Sequence, residues 1–395
     1  MDIRQTIKAV SLSDIQAQSD RVSAVMDSVK KSMLAPSSKK TPPVFGSADL
    51  QALAGIDKAK LFYRLSQKDL PGGDMRGTRR EWKLTDAQEW VRAYRQDAKR
   101  PLGASAVTIT IANFKGGVAK TTSAVSLAQG LSLKGHKVLL IDLDPQGSAT
   151  TLFGINPESE VDADITSLSM FMGDQDLIDY AIRPTYWNGI DLVSASPALF
   201  AAEFGLPARQ MKDPGFEFWR VLDYGLDQAR HTYDVIVIDT PPALSYVTIN
   251  AMLAADGVVI PLPPSALDFA SSAQFWGLFS DLCTQLYAGR GTPKTFEFFD
   301  VLLSRVESND TASTVVRQWI IEAYGDKVLP IEIPKTSIAS NAAAEFGTVY
   351  DLPKGSVSSK TYSRAKDAYD RYCELVEEQI RAVWAKQVSE LQEPS

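Results

Sequence analysis

Asn113-Phe-Lys-Gly-Gly-Val-Ala-Lys-Thr-Thr122, directly after the apolar run Val107-Thr-Ile-Thr-Ile-Ala112, decides how this chain is read. Gly116 and Gly117 let backbone N–H groups close around phosphate oxygens, Lys120 suits the terminal phosphates, and the Thr121 hydroxyl suits Mg²⁺. The apolar run before the loop and the helical pattern that starts near Lys120 place it between strand and helix, where the helix dipole also favours negative charge. Lys115, at the mouth of the loop, has no place in that minimal scheme and must answer to some other negative charge.

Working outward, further short apolar runs follow at 137–143, 190–194, 234–239, 257–262 and 296–303, separated by helical patterns. Near-continuous Val, Ile and Leu suit strands covered on both faces, so the order predicts a parallel α/β sheet flanked by helices. Asp142 and Asp144 close the string Leu-Leu-Ile-Asp-Leu-Asp before Pro145-Gln-Gly, and Asp239 ends another strand before Thr240-Pro-Pro242. Carboxylates at the carboxyl ends of parallel strands stand where ligands bind in open α/β sheets, where Mg²⁺ and an attacking water must be held. Asp234 reads only as a strand-start residue. From 358 to about 391, Tyr362, Tyr369, Tyr372, Val376, Ile380 and Val383 recur at helical spacing and predict a long terminal helix.

Ahead of the loop, 13–33 carries Ile15, Val22, Val25, Met26, Val29 and Met33 close to a seven-residue repeat on one helical face. Such a helix suits either pairing of subunits or docking on the next domain. Ala35-Pro-Ser-Ser-Lys-Lys-Thr-Pro-Pro43 reads as a linker, because proline and small polar residues break helices and bury nothing. Then comes a helix expected to start on a capping Ser47 and end on Gly55, a tight turn, and a second helical pattern over 57–67. Turn residues, arginines and a strand-like alternation over 70–84 suit a β-wing, and Thr85 opens a closing helix. This unit resembles the winged helix-turn-helix of MerR-type DNA-binding domains, with a helical protein-docking domain as the alternative. The resemblance implies a second helix in the major groove, with Lys58, Lys60, Tyr63 and Arg64 near bases or phosphates. Arg76, Arg79 and Arg80 on the wing would then meet the backbone or the minor groove. The expected division is an N-terminal helix at 1–35, a linker at 36–43, the winged unit at 44–100 and an α/β domain carrying the phosphate loop at 106–395.

The 395 residues, 45% of them apolar, suffice for two or three domains. The net charge of −7 is uneven: residues 57–100 hold twelve Lys/Arg against seven Asp/Glu, or +5, which leaves −12 elsewhere. A basic region on an acidic chain suits nucleic acid held by one part only, or else a solvated charged surface. Neither a charged opening MDIRQTIKAV nor any apolar run near 18 residues suggests export or membrane spanning, so a cytoplasmic protein is expected. Cys283 and Cys373 fall in amphipathic helical patterns and are expected as buried free thiols; His136 and His231 lack metal-ligand neighbours, which argues against zinc.

Taken residue by residue, the loop and its carboxylates resemble the deviant Walker A family of P-loop ATPases, the ParA/MinD group, whose loop reads Lys-Gly-Gly-x-x-x-Lys-Thr. The pattern is met at Lys115, Gly116, Gly117, Lys120, Thr121 and Thr122. The string from Asp142 to Gln146 is closer to the ParA branch, and Asp239-Thr-Pro-Pro matches the family's switch region. Leu329-Pro-Ile-Glu-Ile-Pro-Lys-Thr336 looks like the family's Ile-Pro-Arg segment near the adenine, with Pro334 in place and lysine for arginine. Ala119 stands where many relatives carry glycine; with Gly116 and Gly117 intact, the loop geometry is expected to survive. The resemblance spans 106–392, and a DNA-binding unit in front of it points to the larger ParA proteins that regulate their own operon.

This resemblance implies ATP/ADP and Mg²⁺ as ligands. Nucleotide contacts would run from Lys115 to Thr122, including Val118 and Ala119. Thr121 would ligate Mg²⁺, with Asp239 and Asp142 holding it through water. Asp144 would position the hydrolytic water, and Lys115 would cross into the partner's site like an arginine finger. It further implies an ATP-dependent homodimer, weak hydrolysis stimulated by a ParB-type partner, non-specific DNA binding on the nucleoid, and specific operator binding by the N-terminal unit. Lys354, Lys360, Arg364, Lys366 and Arg371 around the terminal helix, with Arg305 and Arg317, are candidates for the non-specific DNA surface, although a solvated helix face suits them as well. A DNA-segregation ATPase with an autorepressor domain is one functional reading; a positioning ATPase or transcription regulator with another cargo is the other. A terminus ending Glu390-Leu-Gln-Glu-Pro-Ser395 lacks a basic amphipathic membrane helix.

Overall fold

The computed structural model describes residues 10–33, 40–288, 294–307, 310–335, 347–352 and 359–392. The chain divides into two units, Met1–Lys40 and Thr41–Ser395. The first holds helix α1 (Leu12–Met33), whose start is fixed by Ser11 N–H donating to Asp14 Oδ2 at 2.9 Å and Asp14 N–H donating to Ser11 Oγ at 3.2 Å. Its Ile15, Val22 and Val25 are exposed. Residues 36–39 of the expected linker, and Lys354, lie outside the described residues.

The second unit opens with β1 (Val44–Gly46), α2 (Ser47–Ala54), α3 (Lys58–Gln67), β2 (Asp74–Arg76), β3 (Arg79–Lys83) and α4 (Leu84–Tyr94). The strands form an antiparallel sheet in the order β1-β3-β2. Leu50, Leu61, Trp82, Trp90 and Val91 make its core. Both indole N–H groups donate to the Pro71 carbonyl at 2.9 Å, and Gly73 is required because a Cβ there would come 2.7 Å from the Glu81 carbonyl. Ser47 is not the cap expected for α2: Gly46 holds that position, its N–H donating to Asp49 Oδ2 at 3.1 Å, and Ser47 is already helical. Asp57 caps α3 by accepting from Lys60 N–H at 2.7 Å.

Next come β4 (Val107–Ile111), α5 (Lys120–Leu133), β5 (Val138–Asp142), α6 (Ser148–Leu152), α7 (Leu168–Met172), β6 (Ile182–Pro184), β7 (Ile190–Val193), α8 (Ala202–Lys212), α9 (Val221–Gly225) and α10 (Asp227–Thr232). Then follow β8 (Val235–Asp239), α11 (Tyr246–Ala254), β9 (Gly257–Leu262), α12 (Ala266–Tyr287), β10 (Phe298–Val306), α13 (Thr311–Tyr324), β11 (Val328–Pro334) and α14 (Ser359–Gln392). The strands form one sheet in the order β11-β10-β9-β4-β8-β5-β7-β6, parallel throughout except for β6 at one edge. Successive side chains go to opposite faces: Val138, Leu140, Val235 and Val237 join the core under α5 and α14, while Leu139, Ile141, Ile236 and Ile238 join the core under α11 and α12. All carboxyl ends of the parallel strands therefore meet at one rim of the sheet.

The winged unit is anchored on the far end of α5. Gln88 Nε2 donates to Ser132 Oγ and to the Asn188 carbonyl, both at 2.7 Å; Arg92 Nε donates to the Gly135 carbonyl at 3.0 Å, and Arg95 Nη1 to the Lys134 carbonyl at 2.9 Å. Guanidinium groups at a helix carboxyl terminus satisfy its orphan carbonyls and complement its dipole. Arg95 Nη2 also meets Glu377 Oε2 at 2.8 Å, and Glu377 gathers Lys134 at 3.3 Å and His136 at 2.7 Å. Cys373 is a buried free thiol as expected, whereas Cys283 is half-buried.

Candidate nucleotide site

The loop between β4 and α5 is pinned at its start by Asn113, which is buried. Its Nδ2 donates to the Pro261 carbonyl at 2.9 Å, and its Oδ1 accepts from Lys115 N–H at 3.0 Å. Gly117 and Ala119 both take left-handed backbone, with φ of 74° each. At Gly117 that conformation is free of penalty; at Ala119, where the loop enters α5, a Cβ must be carried in it. Ala119 therefore carries local strain within the loop. Lys120 is buried, its ammonium donating to the Lys115 carbonyl at 2.9 Å. Burial lowers its pKa, opposed by the nearby charges of Asp239 and Asp144.

Asp142 and Asp239 end adjacent parallel strands as register partners, and both are fully buried. Asp142 is held: Oδ1 accepts from Asp144 N–H at 3.1 Å, and Oδ2 accepts from the Thr150 N–H and hydroxyl, both at 2.8 Å. Burial raises its pKa to about 7, with Asp144 adding to the rise and Thr150 opposing it. Asp239 is raised well above the carboxylate range by burial first and by Asp142 second. Neither Asp239 oxygen has a hydrogen-bond partner of ordinary geometry, although the Thr121 hydroxyl is near enough to oppose the rise. Two buried acids side by side, one with both oxygens orphaned, fit a divalent cation. Among the described residues no group of three or more His, Cys, Asp or Glu could hold a metal by itself. Mg²⁺ takes one or two carboxylates together with phosphate and water oxygens, a demand that the neighbouring Asp142 and Asp239 match. Asp144 is half-buried beside this pair, its Oδ1 accepting from Gln146 N–H at 3.0 Å.

Gly116, Gly117, Val118, Ala119, Lys120, Thr121, Thr122, Asp142, Asp144 and Asp239 are thus brought to one rim of the sheet. A Cβ on Gly116 would lie 3.8 Å from Pro242, so the loop faces the Asp239-Thr-Pro-Pro segment. Lys115 is paired within its own chain, Nζ to Asp268 Oδ1 at 2.7 Å near the start of α12. Pro334 ends β11, three strands away from β4 and so on the order of 14 Å off in the sheet. Residues not anticipated from sequence complete the arrangement: Asn113, Thr150, Asp268, and Glu203 of α8, which accepts from the N–H groups of Tyr246 and Val247 at the start of α11 (2.9 and 3.2 Å).

The DNA-facing expectations fall elsewhere. Lys58 and Lys60 are exposed on α3, with Lys60 over the Tyr94 ring; Arg64 is paired with Asp69 at 2.9 Å. Arg76 meets Glu81 at 3.4 Å, and Arg80 donates to the Gly72 carbonyl. Arg76, Arg79 and Arg80 line a cleft of about 1570 Å³ whose other wall includes Tyr350, Lys366 and Glu374. Arg364 and Lys360 are exposed on α14, while Lys366, Arg371 and Arg317 pair with Asp370, Glu374 and Glu332. Among the described residues no helix is long and apolar enough to cross a membrane.

Residues 106–286 match a family model described as an AAA domain. A candidate replication protein A of Rhizobium rhizogenes is 28% identical over 94% of this chain and 95% of its own length. Protein SopA of Escherichia coli K12 is 32% identical over 70% of this chain and 71% of its own. The chromosome partitioning protein ParA of Caulobacter vibrioides is 32% identical over 62% and 87% respectively. Among solved structures, a partition protein superposes with a TM-score of 0.63 over 93% of this chain and 98% of that one; at 19% identity it reports on the fold alone. Cobyrinic acid a,c-diamide synthase of Mycobacterium smegmatis, with a bound ATP analogue and magnesium, superposes with a TM-score of 0.53 at 27% identity over 69% and 94%.

Proposed function

Since the chain belongs to the ParA-type partition ATPase family, we propose that it is a nucleotide-switched DNA-segregation ATPase whose loop at 115–122 binds ATP and ADP with Mg²⁺. The observation that carries this reading is the convergence at one sheet rim of buried Lys120, Thr121 and the paired carboxylates Asp142 and Asp239, of which Asp239 lacks partners for both oxygens. The similar ATP-analogue and magnesium complex of the diamide synthase supports the choice of ligand.

In this reading the loop amides and Lys120 hold the terminal phosphates. Thr121, Asp239 and Asp142 would hold Mg²⁺, which would supply neutralisation of phosphate charge. Asp144, close enough to interact with Lys120, orients the attacking water. Lys115 leaves Asp268 to meet the nucleotide of a second copy, which makes ATP a dimerisation signal. Hydrolysis is slow until a ParB-type partner stimulates it, since ATP serves here as a dimerisation signal.

The winged unit binds a specific operator and the ATP-bound dimer binds DNA without sequence preference, so the two activities belong to different parts of one chain. The 28% identity that runs through 95% of the Rhizobium rhizogenes protein includes the winged unit and keeps a role beside replication as the second reading. Titration with fluorescent ATP and ADP tests the first. Lys120→Ala should lose binding of both, and retention of parental affinity would refute the site.

A further inference from the structure

We propose that Ser304 and Arg305, at the carboxyl end of β10, are positioning residues that turn two amides of the phosphate loop toward bound phosphate. The buried Ser304 hydroxyl donates to the Val118 carbonyl at 2.9 Å, and Arg305 Nη1 donates to the Gly117 carbonyl. In a planar trans peptide the carbonyl of one residue and the N–H of the next point to opposite sides. Drawing the Gly117 and Val118 carbonyls toward β10 therefore sends the N–H groups of Val118 and Ala119 the other way. Among the described residues neither amide has a protein acceptor, so both remain available to an anion.

The backbone supports a built device. Lys68, Ala119 and Arg305 are the non-glycine residues with positive φ among those described, and two of these three meet here. Arg305 sits at φ 52°, which an arginine adopts only when its surroundings impose it. Among the described residues its guanidinium has no carboxylate partner, and its contact is the Gly117 carbonyl. Val306, the next residue, is the register partner of Pro334, which ties this grip to the edge strand as well. A device that orients loop amides acts on phosphate and is indifferent to the base.

This inference rests on the loop being a nucleotide site, and its test separates the two. Affinities of the full chain are measured for ADP, for GDP, and for inorganic tripolyphosphate as competitor, with Lys120→Ala as the reporter of the site itself. Ser304→Ala and Arg305→Ala are each expected to weaken all three ligands alike, by about five- to tenfold, the scale of one lost hydrogen bond. Arg305→Lys restores part of the loss. Arg305→Gly relaxes the backbone while deleting the guanidinium, and should bind as weakly as Arg305→Ala although the nucleotide-free protein melts no lower than the parent. Parental affinity in the serine and arginine variants, while Lys120→Ala fails to bind, would overturn the proposal and leave the site standing. A loss confined to ADP would overturn it in favour of a base contact, and parental binding by Lys120→Ala would remove its premise.

Discussion

Glu377→Gln removes one charge from the centre of the cluster that joins the winged unit to the end of the nucleotide helix. The carboxylate is paired with Arg95, Lys134 and His136 at 2.8, 3.3 and 2.7 Å. Burial by itself would raise its pKa; the hydrogen bonds from His136 and Arg95 and the charge of Lys134 outweigh that and bring it down from 4.5 to about 2. That depression corresponds to about 3 kcal/mol of folded-state stability. Because the folded value is depressed, this contribution is present in full above about pH 4.5 and is lost as pH falls toward 2. Glutamine keeps the shape, loses the charge and leaves two cations facing a neutral amide, a change of the size measured for broken buried pairs. With an unfolding entropy near 2.1 cal/mol/K per residue, about 0.7 kcal/mol/K for a body of roughly 350 residues, the melting temperature should drop by about 4 °C at neutral pH. Thermal unfolding followed by circular dichroism at pH 7.5 and through a descending pH series reads this out. The difference between parent and variant should shrink below pH 4.5. A variant that melts within 1 °C of the parent at pH 7.5, or a gap that widens in acid, would refute the reasoning.

Ala119→Gly relieves the left-handed alanine and should raise stability by about 1 kcal/mol, seen as a higher urea midpoint with unchanged slope. Asp268→Asn removes the in-chain partner of Lys115 while leaving the Ser265 contact at the start of α12. Since the lysine is partly exposed, freeing it should favour ATP-dependent dimers by no more than about fivefold, measured by sedimentation across a protein dilution series. Lys58→Ala and Arg79→Ala should weaken operator binding and each reduce the slope of log affinity against log salt by about 1. Binding of random DNA in the presence of ATP should be unaffected by either.

Legibility differed sharply between the elements that local pattern controls and those that distant contacts control. The loop and the strands β4, β5, β7, β8, β9 and β10 were readable because continuous branched apolar runs flanked by helices leave few alternatives. β6 was not, since three residues with a proline carry no periodicity and pair only at an antiparallel edge. β11 was not read as a strand, because Ile333-Pro-Lys335 drew attention to its resemblance to the Ile-Pro-Arg segment and because prolines, which an edge strand tolerates, mask its pattern. Ser47 looked like a cap because the side chain of Asp49 could not be seen folding back on Gly46. Within the site, the acids and the loop lysines were legible from type and position. Ser304, Arg305 and Asp268 were not, since their partners lie more than a hundred residues away in sequence. Side-chain pairing on α14 is likewise visible only in the structure: Lys366 and Arg371 meet acids one helical turn on.

The proposed role of Lys115 at a second copy of the chain makes ATP-dependent dimerisation hinge on this one side chain. Analytical ultracentrifugation of the parent and of Lys115→Ala, each with Mg²⁺ and either ADP or a non-hydrolysable ATP analogue, addresses it directly. The parent should sediment as a dimer with the ATP analogue and as a monomer with ADP, while Lys115→Ala binds the analogue and stays monomeric. Dimerisation of Lys115→Ala at the parental concentration would contradict it.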